Sequence, residues 1–166
     1  MNMTNIVLNS TAVVTCSLVP AIGGTPVVIA YYKTVANLME LGHSPLSVIE
    51  SITNRTRAII AEIDGQIAGF ILFGLKSEVQ GNPTWIFLSY VYPEHRRRGV
   101  YKMMYSCLES HSRSLGSCYT ESYVEFNNTA MISAAVALGR EPIATKLLDT
   151  QPSGYYVITN RFKMCS

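Results

Sequence analysis

Apolar residues along this chain follow two periods, and each change of period marks an element. Ala58 to Ile63 and Gln66 to Leu75 carry strand-like runs on either side of Asp64-Gly65, a strong two-residue hairpin signal. After Gly81-Asn82-Pro83 the run Thr84 to Tyr92 is apolar on both faces, with Ile86, Leu88 and Tyr90 on one and Trp85, Phe87 and Val91 on the other. Such a strand belongs in the middle of a sheet. Pro93 cannot donate to a ladder and ends it. Spacing then turns helical through Val100, Met103, Met104, Cys107, Leu108, His111 and Leu115, with an end near Ser114 and Gly116 as cap. Cys118 to Phe126 reads as a strand and Thr129 to Leu138 as an Ala-rich helix closed by Gly139. Tyr155 to Met164 reads as a last strand at the sheet's far edge.

The first third is less sharply patterned. Residues 1 to 25 mix β-branched residues with Pro and Gly and predict one strand. Val28, Tyr31, Tyr32, Val35, Leu38 and Met39 predict a helix from Pro26 to Gly42. Ser44, with Pro45 behind it, caps a second helix that carries Leu46, Ile49 and Ile52 and ends near Asn54. The expected order is β, α, α, β, β, β, α, β, α, β.

Composition narrows the class. A chain of 166 residues, 48% apolar and 14% charged, fits a single domain spanning 1–166 with a large core. A net charge of +2 is too small for general attraction to nucleic acid or membranes. Pro20, Gly23-Gly24 and Pro26 interrupt the apolar stretch from Thr11 to Tyr32, so no run is long enough to span a bilayer. The N-terminus lacks the basic region of a signal peptide. Cys16, Cys107, Cys118 and Cys165 lie far apart, without C-x-x-C or a His at ligand spacing. Buried free thiols, no metal and a cytoplasmic setting are the expectation.

Basicity is local. Arg96, Arg97 and Arg98 stand with Gly99 between a strand and an amphipathic helix. Amides in a helix's first turn lack intrahelical partners, and the helix dipole adds partial positive charge there. This arrangement suits a phosphate or pyrophosphate, with Gly99 admitting close approach. Neither G-x-x-x-x-G-K-[ST] nor G-x-G-x-x-G after a strand is present, so the P-loop and dinucleotide-binding readings lack support. The bland alternative is a solvated basic helix start.

The stretch resembles motif A of the GNAT (Gcn5-related N-acetyltransferase) family, [QR]-x-x-G-x-[GA] after a strand ending in Val and Pro. Arg96 takes the first position, Gly99 the fourth and Tyr101 the sixth, where a small residue is usual. Downstream, Val124, Glu125, Asn128, Leu138 and Gly139 fall without a gap on a second pattern of that family. The resemblance implies an α+β fold: one mixed, mostly antiparallel twisted sheet flanked by helices, with splayed central strands.

It also implies an acetyl-CoA-dependent N-acetyltransferase that acts on a primary amine by direct attack on the thioester. Acetyl-CoA would lie between the Thr84–Tyr92 and Cys118–Phe126 strands. Its pantetheine amides would pair near Val91, and its pyrophosphate would meet the amides from Arg97 through Gly99 and Val100 to Tyr101, with Arg96 and Arg98 alongside. Asn128 would bond the pantetheine arm or cap the following helix. A Tyr that protonates the departing thiolate in many members falls at Ala135 here. Tyr101, Tyr105 and Tyr123 are substitutes in principle and packing aromatics otherwise.

No carboxylate occupies Thr84 to Phe87, so Glu121, and Glu125 as the alternative, are the candidates for general base. Both share a strand face with Tyr119 and Tyr123, and paired surface charges are their bland reading. The acceptor could be a small molecule, a lysine or a protein N-terminus, and homodimer formation stays open. Because of Ala135, a catalytically silent GNAT-fold module that binds CoA or a protein partner is the second reading.

Overall fold

The computed structural model describes residues 4–7, 13–20, 56–146 and 155–161. The helices expected at 26–42 and 44–54 lie outside them. By contacts the chain forms two compact units, residues 1–74 with 87–108 and residues 75–86 with 109–166.

In the first unit, β1 (Thr4–Val7) and β2 (Val13–Pro20) pair antiparallel, with Thr4 opposite Cys16. This corrects the single strand expected before residue 25. Ile6-Val7 and Val13-Val14 are two β-branched runs on either side of Asn9-Ser10, residues that favour turns. β2 continues antiparallel onto β3 (Arg57–Ile63), and β3 onto β4 (Gln66–Leu75). Asp64 (φ 51°) and Gly65 (φ 75°) both take left-handed backbone at the β3–β4 turn, as a type I′ hairpin requires. Ala58 to Ala61 and Phe70 to Phe73 are buried without interruption, the pattern of strands covered on both faces.

The β3–β4 ladder contains one irregularity. Ala61 pairs with Gly69 and Glu62 with Ile67, so Ala68 is the extra residue of a β-bulge in β4. Its carbonyl is taken by Tyr92 N–H at 3.0 Å. At Gly69 a Cβ would come within 2.7 Å of the Tyr90 carbonyl oxygen and 3.1 Å of Met104 Cε. The absent side chain thus lets the end of β5 (Thr84–Val91) lie against β4. Helix α1 (Val100–Ser114) buries Val100, Met103, Met104, Tyr105 and Leu108, as its 3.6-residue spacing requires.

In the second unit, β5 runs parallel to β6 (Tyr119–Glu125) for three rungs, Thr84↔Thr120 to Ile86↔Ser122. β6 pairs antiparallel with β8 (Tyr155–Arg161), and β8 with β7 (Glu141–Lys146). The tail strand therefore lies between β6 and β7 and is not the edge, and β7 is a strand the sequence did not announce. Pro142 hides it: proline weakens any strand pattern, and an edge strand with a register shift between Pro142 and Ala144 is where it is tolerated.

Among the described residues, the ends of the helices form where the glycines stand. Gly116 N–H bonds Arg113 O while Ser117 N–H bonds Ser112 O, and Gly139 and Arg140 repeat the pattern on Val136 and Ala135 after α2 (Thr129–Ala137). Buried hydroxyls of Thr84, Ser112 and Ser117 join at 2.8 and 3.1 Å, tying β5 to the end of α1. Arg140, 2% exposed, donates to Ser122 Oγ at 2.7 Å and Ile158 O at 3.1 Å.

The cysteines depart from expectation. Cys16, buried, and Cys107, half-buried, stand outside any disulfide, whereas Cys118 is disulfide-bonded. The inference of a reducing compartment from uniformly free thiols therefore loses its basis at Cys118. No helix among the described residues is long and apolar enough to cross a membrane.

Candidate functional site

The basic turn is built by the backbone before any side chain contributes. Pro93 to His95 form one 3₁₀ turn, and Arg96 follows in extended conformation (φ −68°, ψ 161°). Arg97 (φ 58°) and Gly99 (φ 79°) are left-handed and Arg98 between them is not. This alternation turns successive amides toward one side, the concave nest that receives anions. Left-handed backbone at a residue with a Cβ is strained, and such strain concentrates at ligand sites. The first bond of α1 runs from Met103 N–H to Gly99 O. Among the described residues, the amides of Arg97, Arg98, Gly99 and Val100 meet no backbone carbonyl. No acidic side chain occupies the helix's first turn to neutralise it.

The three arginines are not equivalent. Arg96 Nε donates to Val91 O at 2.9 Å, and its guanidinium lies 5.5 Å from the Tyr90 ring centroid. It turns back along the strand and fixes the turn. The exposed side chains of Arg97 and Arg98 remain beside the amides, with Arg98 3.5 Å from His95 Nδ1. Val91, expected to pair with a pantetheine amide, has its carbonyl engaged by Arg96, and Tyr92 N–H is engaged by Ala68. Val100 is buried and anchors the helix start. The Tyr101 and Tyr105 rings lie 6.3 Å apart at a 41° tilt, and Tyr105 is buried, so it is a packing aromatic.

These residues fit the diphosphate of a nucleotide thioester. Donor amides, two nearby guanidinium groups and a first helical turn without an acidic residue are the chemistry that such a group needs.

In the second unit, Thr120, Ser122 and Val124 are buried, which leaves Tyr119, Glu121, Tyr123 and Glu125 on the more open face of β6. Glu121 stands in register with Trp85, whose ring meets that of Tyr123 edge-on at 4.6 Å. Asn128 caps α2, its Oδ1 accepting from Met131 N–H at 3.2 Å, so the capping alternative is the observed one. Ala135 is buried against Val124 and Ile158 and presents no hydroxyl.

Sequence reasoning passed over the Ala68 bulge with Gly69, buried Arg140, and Lys76 over the Trp85 ring. Gly69 in the interior of the β4 pattern was the available signal for the first. Nothing in the local pattern signalled the other two.

Known proteins share the fold described above. The family model for the acetyltransferase (GNAT) family matches residues 33–139, and the chain belongs to that family. It is thereby an acyltransferase-family protein with an α+β fold. No curated protein matches the chain by sequence.

Solved structures share the fold. The ribosomal-protein-S18-alanine N-acetyltransferase of Escherichia coli matches at TM-score 0.66 with 15% identity, covering 91% of this chain and 96% of that one. Arabidopsis thaliana Naa50, solved with the bisubstrate analogue CoA-Ac-MVNAL, matches at 0.57 with 19% identity over 63% and 72%. A Bacillus anthracis str. Ames protein described as a streptothricin acetyltransferase, in complex with acetyl coenzyme A, matches at 0.60 with 18% identity over 66% and 64%. The chain thus spans less than two thirds of that last structure's length.

Proposed function

We propose that this protein is an acetyl-CoA-dependent N-acetyltransferase acting on a primary amine. The observation that carries the reading is the left-handed pair Arg97 and Gly99, which opens the turn's amides ahead of Met103 N–H. Similar structures that hold acetyl coenzyme A or a CoA-bearing analogue support it.

Acetyl-CoA supplies a thioester carbonyl open to attack by an uncharged amine. The amides of Arg97 to Tyr101 hold the diphosphate, and Arg97 and Arg98 add charge-assisted bonds. Arg96 orients the turn through Val91. Glu121, with Glu125 as the alternative, accepts the proton that an ammonium must lose before it attacks. Both candidates are supported by their place on the more open face of β6. With Ala135 in place of a tyrosine, the thiolate leaves unassisted, which a thiol of pKa about 8.5 tolerates. Loss of a general acid slows such a reaction about 10²–10⁴-fold.

The buried methyl of Ala135 also favours a second reading, a catalytically silent module that binds CoA or a protein partner. Release of free CoA across a panel of primary amines separates the two. Turnover supports the transferase; thermal stabilisation by acetyl-CoA without turnover supports the silent module. Absence of both contradicts each of them.

A further inference from the structure

The second unit holds a cation already resting on an aromatic platform. Lys76 Nζ lies 3.9 Å from the centroid of the Trp85 ring. The Tyr123 ring closes against the same indole at 83°. Tyr123 is 44% exposed, and Trp85 and Lys76 are half-buried, so solvent reaches the platform. Glu121 sits directly across the ladder from Trp85. Among the described residues no ion pair or side-chain hydrogen bond engages its carboxylate.

An indole face attracts cations through its quadrupole, and it does so best where water is partly excluded. A carboxylate on the same rung adds the opposite charge. The occupant seen on this platform is an ammonium on a flexible alkyl stem, supplied by the loop after β4. Lysine stems rotate easily, so Lys76 can leave and another ammonium can take its place.

We propose that Trp85, Tyr123 and Glu121 form a binding site for aliphatic primary ammonium groups, with Lys76 as a built-in occupant that the ligand displaces. This deepens the transferase reading by giving the acceptor's ammonium a place on β5 and β6 and narrowing it to aliphatic amines. Its assignment to the acceptor rests on that reading, whereas the binding itself does not.

Trp85 is the only tryptophan of the chain, so its fluorescence reports on the platform alone. The test titrates the full chain with n-pentylamine and, separately, with 1-pentanol, a neutral analogue of similar size. The amine produces a saturable change and the alcohol none. Lys76→Ala, which removes the competitor, tightens amine binding about 2- to 10-fold, and Glu121→Gln weakens it about as much. Equal responses to both probes, no saturation, or weaker or unchanged binding in Lys76→Ala overturns the proposal. Thermal stabilisation by acetyl-CoA is measured on the same samples. If it persists while amine binding fails, only this site falls; if it is absent while amine binding holds, only the transferase reading falls.

Discussion

Arg96 Nε donates to the Val91 carbonyl at 2.9 Å, so the first arginine of the basic turn is spent on the strand that precedes it. Its task is to hold the turn, while Arg97 and Arg98 supply charge. Replacing Arg98 by Gln should weaken acetyl-CoA binding and flatten its salt dependence, because an exposed charge on a phosphate is screened by salt. Replacing Arg96 by Ala should weaken binding severalfold with the salt dependence largely kept. Isothermal titration at two ionic strengths checks both.

Arg97 has φ 58°, a backbone region costly for a residue with a Cβ. Arg97→Gly should therefore stabilise the fold by up to about 1 kcal/mol while weakening acetyl-CoA binding. Chemical denaturation and titration on one preparation would read the two opposite signs. A loss of stability would contradict the strain assignment.

At Gly69 the nearest obstacle to a Cβ is backbone, Tyr90 O at 2.7 Å, and backbone cannot swing aside as a side-chain tip can. Gly69→Ala should cost about 1–3 kcal/mol in denaturant unfolding. It should also raise KM for acetyl-CoA, since β5 leads directly into the turn.

Arg140 is almost wholly buried and bonds Ser122 Oγ and Ile158 O. Arg140→Met keeps much of the volume and strands both acceptors. Urea unfolding should show a loss of about 1–3 kcal/mol, with acetyl-CoA affinity little changed.

The Cys16 thiol is pushed above the ordinary thiol range, first by its hydrogen bond with Cys107 and then by burial. It stays protonated in the fold, whereas the unfolded chain ionises it from about pH 8.5 upward. The unfolded state is the one that gains, so this stabilisation is intact below that pH and declines as pH rises. The stability advantage of the native chain over Cys16→Ala should shrink by about 1.4 kcal/mol per pH unit in the alkaline limb.

Much of this was legible in the chain. The Asp64-Gly65 hairpin, the stop at Pro93, the helix from Val100 and the closures at Gly116 and Gly139 are local chemistry, and the structure places them where the residues indicate. What escaped was non-local. Pro142 masks β7, and only its pairing with β8 makes it a strand. The position of β8 depends on β7, so the tail was misassigned to the edge for the same reason. The basic turn was visible as a cluster of like charges, but the distinct task of Arg96 depends on where the Val91 carbonyl points. The cation on Trp85 joins residues from separate elements, and no spacing rule reaches across them.

Acetyl-CoA binding by this chain turns on whether the amides of the basic turn receive the diphosphate. A crystal structure of the protein soaked with acetyl-CoA decides it. Diphosphate oxygens should lie within about 2.7–3.2 Å of Gly99 and Val100 N–H. A diphosphate bound elsewhere, with those amides facing solvent, would contradict the assignment.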